Sequence, residues 1–470
     1  MYKNKNVLIM GLGLHGGGIG ATNYFSSLGA RIVVTDLKTE GELEESIAKL
    51  RNKKNIRFVL GRHDFKDFRS ADLVIKNPGV PHDSPYLRHA LEHGVPVETD
   101  IGIFLDSTRK LTYNIVGVTG TKGKSTTATL LHKIVQSRYP DALIGGNITG
   151  SVLDVLDQVK RDSYVVLELS SFQLGGIAAK RFSPRLSIFT NFMEDHLNYY
   201  LSMDEYFRDK SVLYRFQGEG DVVVVNRDNR AYDLVKPARG ARLISFGMNE
   251  SFEGEGSFSR NGKIFYRKQN QEHEVMSLRS IHILGIHNLY NVLAAVAAAC
   301  HEGFNPQEID EAVGSLHGIE HRLEYVGISR GVRFFNDSAA TIPQAAIQGI
   351  RSFSEKLTLI AGGADKNLEL SEFIRTIENR VLSLVLLGGS GTERLVKSGL
   401  KKEYRIHDNL QSAVCDAFLM TPAGGVVLLS PGFASFGMFK NEFHRGKEFK
   451  KIVMNISTGE GECHEEGQER

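Results

Sequence analysis

Cysteine is scarce in this 470-residue chain. The three that occur, Cys300, Cys415 and Cys463, are widely spaced, odd in number and form no C-x-x-C pair. That excludes a zinc-ribbon site or a disulfide framework and reads as free thiols in a reducing compartment. An excess of charge of one sign is missing too. Lys plus Arg total 57 against 55 Asp plus Glu, a net charge of +2, so nothing points to nucleic acid or an anionic membrane as partner. Long apolar runs are also lacking. None approaches the ~18 residues a membrane helix needs; the nearest, Asn291–Cys300, reads as a core helix. Lys3, Lys5 and then Val7–Met10 imitate a signal peptide, but the apolar run is short and ends in glycines, so it reads as a first strand. The expectation is a cytoplasmic protein with no membrane insertion. Apolar residues make up 41% and charged residues 24%, ordinary for a globular chain, and the length suggests about three domains at ~150 residues each.

What is present is concentrated in Ile115–Ser125, Ile-Val-Gly-Val-Thr-Gly-Thr-Lys-Gly-Lys-Ser. An apolar strand (Tyr113–Val118) runs into a glycine-rich turn and then a helix opened by Ser125-Thr126-Thr127. Backbone N–H groups and the positive end of a helix converge in such a turn, where a phosphate chain fits. Glycines let the backbone approach, Lys124 adds a point charge, and Ser125 can reach a Mg2+ ion. The spacing misses the strict G-x-x-x-x-G-K-[ST] pattern by one, because Val118 stands where the first glycine belongs. A lysine-bearing loop before an ordinary helix is the bland alternative; a nucleoside triphosphate site is the reading preferred.

Upstream, Val7–Met10 leads into Gly11-Leu12-Gly13-Leu14-His15-Gly16, a full G-x-G-x-x-G, then a helix through Phe25 and a strand Arg31–Thr35 ending at Asp36. Strand, glycines, helix and a following acid make a Rossmann-like nucleotide or diphosphate site, or else merely a tight strand–helix turn. Asp72–Ile75 ends in the rigid turn Asn77-Pro78-Gly79-Val80-Pro81, at the edge where ligands gather in parallel sheets. Downstream of the phosphate loop, Gly145-Gly146-Asn147-Ile148-Thr149 reads as a glycine turn, and Tyr164–Leu169 as a strand delivering Glu168 ahead of Ser170-Ser171-Phe172-Gln173. The strand Arg185–Asn191 precedes Glu194, Asp195 and His196, and Tyr206–Phe216 is a helix carrying Lys210. A carboxylate on a neighbouring strand end is where phosphate-loop enzymes hold their metal; a solvated strand end or a surface turn is the alternative for each.

A β-rich patch over 221–278, with a hairpin turn at Asn261-Gly262, reads as structural. Asn288 and Asn291 stand at the head of the alanine-rich helix, where they contact a base or cap the helix; spacing favours capping. Gly318–Leu323 looks like a boundary before a third α/β unit with strands Val332–Asn336, Leu357–Ala361, Val381–Leu387 and Val426–Leu429. The fold class is therefore α/β, in three α/β domains: a Rossmann-like domain over 1–110, a central phosphate-loop domain with a mainly parallel sheet over 111–317, and a Rossmann-like domain over 318–470. A glycine- and glutamate-rich tail from about residue 458 is expected to be disordered.

The order of these motifs resembles the Mur ligase family of peptidoglycan synthesis over nearly the whole chain. The resemblance rests on Gly11–Leu14, Thr119–Ser125, Gly145–Ile148, Leu167-Glu168-Leu169-Ser170-Ser171-Phe172-Gln173-Leu174, Glu194-Asp195-His196, and His287-Asn288 with Asn291. His321-Arg322, Asn336-Asp337-Ser338 and Leu429-Ser430-Pro431 through Ser435 extend it. It implies ATP-dependent amide synthesis through an acyl phosphate, in the branch that adds D-glutamate to UDP-N-acetylmuramoyl-L-alanine. It implies ATP and two Mg2+ ions as cofactors, one metal held by Ser125 and Glu168, the other by His196 and by Lys210 as a carbamate. A free lysine, with a pKa of about 10.4, is cationic and cannot ligate Mg2+. Lys124, Glu168, His196 and Lys210 become the catalytic group by that resemblance. Gly120, Thr121, Lys122, Gly123, Lys124, Ser125, Thr126, Asn147, Asn288, Asn291, Arg322 and Asp337 hold ATP. Leu14, His15, Asp36, Gly79, Asn147 and Ser170 face the UDP substrate, and Thr341, Lys366, Ser435 and Phe443 meet the amino acid. A monomer is expected.

Three departures stand out. The family has asparagine in place of Lys122, lysine in place of Ala339, and F-K-N-F-E where this chain has Phe439-Lys440-Asn441-Glu442-Phe443. One expectation is that Lys122 replaces electrostatically the charge absent at residue 339. Competing readings are a relative that adds L-glutamate or another amino acid, an NAD-binding dehydrogenase fused to a phosphate-loop module, and a nucleotide-gated binding protein without catalysis.

Overall fold

The computed structural model describes residues 2–14, 16–81, 83–148, 150–196, 199–316, 318, 320–458 and 463. Val/Ile/Leu-rich runs, buried on both faces, form the centres of three separate sheets. The first contains β1 (Asn6–Met10), β2 (Arg31–Asp36), β3 (Ile56–Leu60), β4 (Leu73–Lys76) and β5 (Val97–Glu98) in the order β3-β2-β1-β4-β5, with every pairing parallel. The strand order reverses between β1 and β4. At that switch point the glycine loop after β1 meets the turn after β4: Asn77 Nδ2 donates to Gly11 O at 3.2 Å.

The second sheet comprises β6 (Ile115–Thr119), β7 (Leu143–Gly146), β8 (Val165–Glu168), β9 (Leu186–Phe189), β10 (Val222–Asn226), β11 (Arg242–Gly247), β12 (Gly256–Arg260), β13 (Lys263–Lys268) and β14 (Gln271–Ser277). Their order is β14-β13-β12-β11-β10-β9-β6-β8-β7. Pairing is parallel from β7 across to β12 and antiparallel through β13 and β14. The β-rich patch is thus the far wing of this second sheet, and its hairpin has Asn261 and Gly262 both at positive φ, as a type I′ turn requires. The third sheet holds β15 (Glu324–Ser329), β16 (Val332–Asn336), β17 (Leu357–Gly362), β18 (Val381–Leu387), β19 (Tyr404–His407) and β20 (Val426–Leu429), ordered β15-β16-β20-β17-β18-β19, with only β15 antiparallel.

Two compact units result. The first takes Met1–Leu278 with Tyr290–Val313, the second Arg279–Leu289 with Gly314–Arg470. In the first unit one continuous core joins Val7, Ile9, Phe25, Ile101 and Phe104 to Ile115, Val152, Val165, Leu167 and Leu213. Each such side chain contributes roughly 1.5–3 kcal/mol by leaving water, so the first two sheets are bound together by packing. The contact is close where the helix Gly17–Ser27 crosses the segment Val152–Gln158, since a Cβ on Gly20 would strike Ser151 and Asp154.

Several expectations need correction. Residues 143–146 are a strand, with Asn147 just beyond it, rather than a glycine turn throughout. Asn288 and Asn291 lie inside the helix Ile286–His301 rather than ahead of it, so neither stands where a cap would. The thiols are not all free: Cys415, on the helix Leu410–Met420, is bonded to Cys463, with Cα atoms 5.2 Å apart, and Cys300 alone is free and buried. Spacing could not reveal this, because the chain returns to Cys415 only after 48 residues. Apart from Cys463, the tail beyond the helix Glu442–Thr458 lies outside the described residues. Among the described residues no helix is long and apolar enough to cross a membrane.

Candidate active site

The phosphate loop leaves β6, a strand buried at all five positions, and enters the helix Lys124–Gln136. Gly123 caps that helix in a left-handed conformation (φ 83°), and a Cβ there would collide with the Asn291 carboxamide. Glycine is therefore required twice over at this point. The loop curls around Lys124, whose Nζ donates to Gly120 O and Thr121 O, both at 3.0 Å. Ser125 and the buried Thr126 sit in the first helical turn. Asn291 Oδ1 accepts from Thr127 Oγ1 at 3.3 Å, which puts Asn291 beside the loop. Asn288 belongs to the second unit and donates from Nδ2 to Leu284 O at 2.7 Å.

Neighbouring strands bring the remaining groups to the same edge. Glu168 ends β8 and is 1% exposed. Its Oε1 accepts from Asn147 Nδ2 at 3.2 Å, while its Oε2 is buried with no hydrogen-bond partner. Lys210, on the helix Met203–Arg215, is equally buried; its Nζ donates to Gly120 O at 2.8 Å and lies 4.7 Å from the Tyr206 ring centroid. Burial, and then the adjacent Lys124, push the Lys210 amine well below the ordinary lysine range. His196 packs edge-on against Phe172 at 5.0 Å, and burial lowers its imidazole from the usual value. Lys122, assigned to ATP in the sequence, points its ammonium at Asp195 Oδ2, 3.1 Å away. Burial alone would raise the Asp195 carboxyl, but Lys122 and His196 overcome it and hold it below its ordinary range.

Sequence reasoning undervalued Asn191. It follows β9, the strand beside β6, and its side chain brackets the loop: Oδ1 accepts from Lys122 N and Nδ2 donates to Lys122 O, both at 2.9 Å. The available signal was adjacency, since polar residues just past neighbouring parallel strands share an edge. Two expected substrate groups are otherwise occupied. Asp36 accepts from Gly13 N (3.0 Å) and Lys38 N (2.9 Å), and Ser170 forms a capping box with Gln173. Leu14 is 39% exposed and Gly79 also faces outward at the carboxyl edge of the first sheet; His15 lies outside the described residues.

In the second unit, the loops after β16, β17 and β20 and the start of the helix Glu442–Thr458 carry the remaining candidates. Lys366 Nζ donates to Thr341 Oγ1 at 3.2 Å, Ser435 is buried, and the Phe443 ring, 47% exposed, lies 5.8 Å from that of His321. Asp337 is buried, accepting from Ser430 Oγ at 2.7 Å and Leu323 N at 3.2 Å. Burial raises its carboxyl to about 7 despite those bonds and the nearby Arg322. A residue not singled out in the sequence, Arg445, is wholly buried and ties these loops together, donating to Ser338 Oγ (3.0 Å), Ser338 O (2.9 Å) and Phe433 O (3.4 Å).

A phosphate loop facing a buried carboxylate and a buried lysine, on one of three α/β sheets, defines a nucleotide-dependent enzyme of the phosphoryl-transfer class. Comparison with known proteins refines this. A model described as the Mur ligase middle domain matches residues 118–299, and one described as the MurD-like N-terminal domain matches residues 5–99. A UDP-N-acetylmuramoylalanine–D-glutamate ligase from Roseiflexus sp. (strain RS-1) is 40% identical, covering 96% of this chain and 99% of its own. Proteins of the same name from Borreliella burgdorferi (strain ZS7) and Geobacter metallireducens are 38% and 35% identical, each covering 97% of this chain and 98% of their own. Among solved structures, the UDP-N-acetylmuramate–alanine ligase MurC of Thermotoga maritima superposes with a TM-score of 0.60 at 19% identity, covering 96% of this chain and 100% of its own. MurF ligase of the same organism, in complex with ADP, gives 0.58 at 14%, covering 98% and 96%. The chain belongs to the Mur ligase family and is an ATP-dependent ligase.

Proposed function

We propose that this chain joins D-glutamate to UDP-N-acetylmuramoyl-L-alanine in peptidoglycan precursor synthesis, acting as a cytoplasmic monomer. Residues 1–110 hold the UDP substrate, 111–317 hold ATP, and 318–470 hold the amino acid. The shared name of relatives 32–40% identical over nearly the whole chain supports the reaction, and one observation carries the site: Glu168, buried beside the phosphate loop with an unpartnered Oε2.

A carboxylate approaching a triphosphate is repelled, so positive charge must be concentrated where they meet. Lys124 and the loop amides supply part of it. The alanyl carboxylate oxygen then attacks the γ-phosphorus, the bond to the ADP oxygen breaks, and an acyl phosphate forms. The amine of D-glutamate adds to that carbonyl; collapse releases phosphate and a proton and leaves the amide.

The chain's donors fit Mg2+. An unpaired buried carboxylate oxygen is a hard ligand in need of a cation. Mg2+ takes few protein ligands and completes its shell with substrate phosphates and water. Ser125 and Glu168 would hold one ion, His196 and Lys210 the other; when bound, they screen the phosphates and draw charge from the γ-phosphoryl group. The lowered pKa of Lys210 favours its free amine, the form that adds CO2, loses a proton and becomes a carbamate with ligating oxygens.

Against the dehydrogenase alternative, relatives that cover 96–97% of this chain carry a ligase's name. ADP release tests the reading directly. It is expected only with UDP-N-acetylmuramoyl-L-alanine and D-glutamate together; equal release with L-glutamate, or release without the UDP substrate, would overturn it.

A further inference from the structure

Lys122 sits in the phosphate loop, and both its main chain and its side chain are tied to the segment after β9. Lys122 N donates to Asn191 Oδ1, and Lys122 O accepts from Thr190 Oγ1 at 2.6 Å and from Asn191 Nδ2 at 2.9 Å. Thr121 continues the same strap: its N donates to Asn191 O at 2.9 Å, and its hydroxyl both donates to Met193 O (3.2 Å) and accepts from Met193 N (3.0 Å). The Lys122 ammonium reaches further along that segment than any of these, to Asp195 Oδ2. The other oxygen of Asp195 accepts from His196 N at 3.0 Å. One carboxylate thus joins the phosphate loop to the backbone of His196.

That backbone needs holding. His196 has a φ of 56°, a left-handed conformation that a residue with a side chain keeps only where its surroundings impose it. Its ring is set by Phe172 and by Tyr206, 5.8 Å away. Its main-chain oxygen accepts from Tyr199 N (2.9 Å) and Tyr200 N (3.0 Å), while its N–H donates to Asp195, which Lys122 holds in turn. Lysine suits this work, because a point charge on a long flexible stem can cross from the loop to the turn. The asparagine that the family resemblance implies at this position has neither the charge nor the reach. Lys124, two residues on, is folded back onto Gly120 and Thr121 instead.

We propose that Lys122 is a positioning residue that holds the His196 turn against the phosphate loop through its ion pair with Asp195, and does not itself bind the triphosphate. The inference rests on the ATP-site reading above. The side chains of Lys122 and Asp195 are 54% and 27% exposed, so the pair is partly screened and its effect is modest and weakened by salt.

The test uses the full chain and its Lys122→Asn, Asp195→Asn, doubly substituted and Lys122→Arg forms. Three quantities are read: kcat and KM for ATP, calorimetric binding of β,γ-imido-ATP with Mg2+ (which needs no turnover), and the melting temperature. The single Asn variants are expected to lose roughly two- to fivefold in kcat, with analogue affinity within about twofold of the parent. The double variant should be no worse than the poorer single one, as a shared interaction requires, and Lys122→Arg should recover most of the loss. Multiplying losses in the double variant, unchanged kcat in Lys122→Asn, or a roughly tenfold or greater loss of analogue affinity at constant kcat would each overturn the proposal. A parent protein that binds no analogue would remove the ATP-site reading itself, an outcome distinct from the others. A variant that melts early is replaced by Lys122→Gln, which carries the same expectation.

Discussion

Buried ionisable side chains carry a cost in both units of this molecule. Around the phosphate loop, Glu168 and Lys210 are shut away from water at the carboxyl edge of the second sheet, where each is costly unless a ligand or partner arrives. Substituting Lys124 by Met, or Glu168 by Gln, is expected to lower kcat by roughly 10²–10³-fold, and Glu168→Gln, which removes an unpartnered buried charge, should leave the melting temperature at or above that of the parent; steady-state ADP release and calorimetry check both. Asp337 shows the same cost in the second unit. Its folded pKa, raised to about 7 from 3.8, means that the protonated carboxyl stabilises the fold fully below about pH 4, a contribution lost as pH rises through 7. The second unit should thus weaken between about pH 4 and pH 7, on the order of a few kcal/mol at most. Asp337→Asn should flatten that dependence in urea titrations and raise stability at pH 8, at the expense of ATP affinity. A stability profile flat in the parent would contradict the assignment.

Among the elements, the strand–loop–helix of β6 and Lys124–Gln136 sets the geometry of everything near it. Its loop is held from three sides: by Asn191 beyond β9, by Lys210 from the helix Met203–Arg215, and by Asn291 from the helix Ile286–His301. The close approach of Asn291 leaves no room for a side chain at residue 123. Gly123→Ala is expected to abolish measurable binding of an ATP analogue while the far-UV circular dichroism spectrum is kept, because both the positive φ and the Asn291 contact oppose the added methyl group. The loop, its lysine and the strand ends were readable in the sequence, since each follows from period and composition. The carboxamide bracket of Asn191 and the in-helix position of Asn291 were not: the first depends on which strands become neighbours, which is not written locally, and the second on a helix start that pattern fixes only to within a turn. Strands β3, β5, β7, β15 and β19 were missed for a related reason. They are short or only partly buried, so their apolar pattern is faint, and tertiary pairing decides them.

At the scale of the whole molecule, three sheets and the motif order were legible, while the grouping into packed units was not. A boundary near residue 110 separates two sheets that share one apolar core, and the helix Ile286–His301 begins in one unit and ends in the other. Periodicity reports which face of an element is apolar but not which partner covers it. The Cys415–Cys463 bond escaped for the same reason, and it is directly checkable: alkylation of the denatured, unreduced protein should modify Cys300 alone, and prior reduction should expose two further thiols. Three reactive thiols without reductant would contradict the pairing. The larger claim is that this architecture makes a carboxylate attackable by passing a phosphoryl group to it. The most direct measurement places 18O in both oxygens of the alanyl carboxylate of UDP-N-acetylmuramoyl-L-alanine and follows the label during turnover with ATP and D-glutamate. The expected result is one 18O atom in every molecule of inorganic phosphate released, with the other retained in the amide; phosphate free of label would contradict the account.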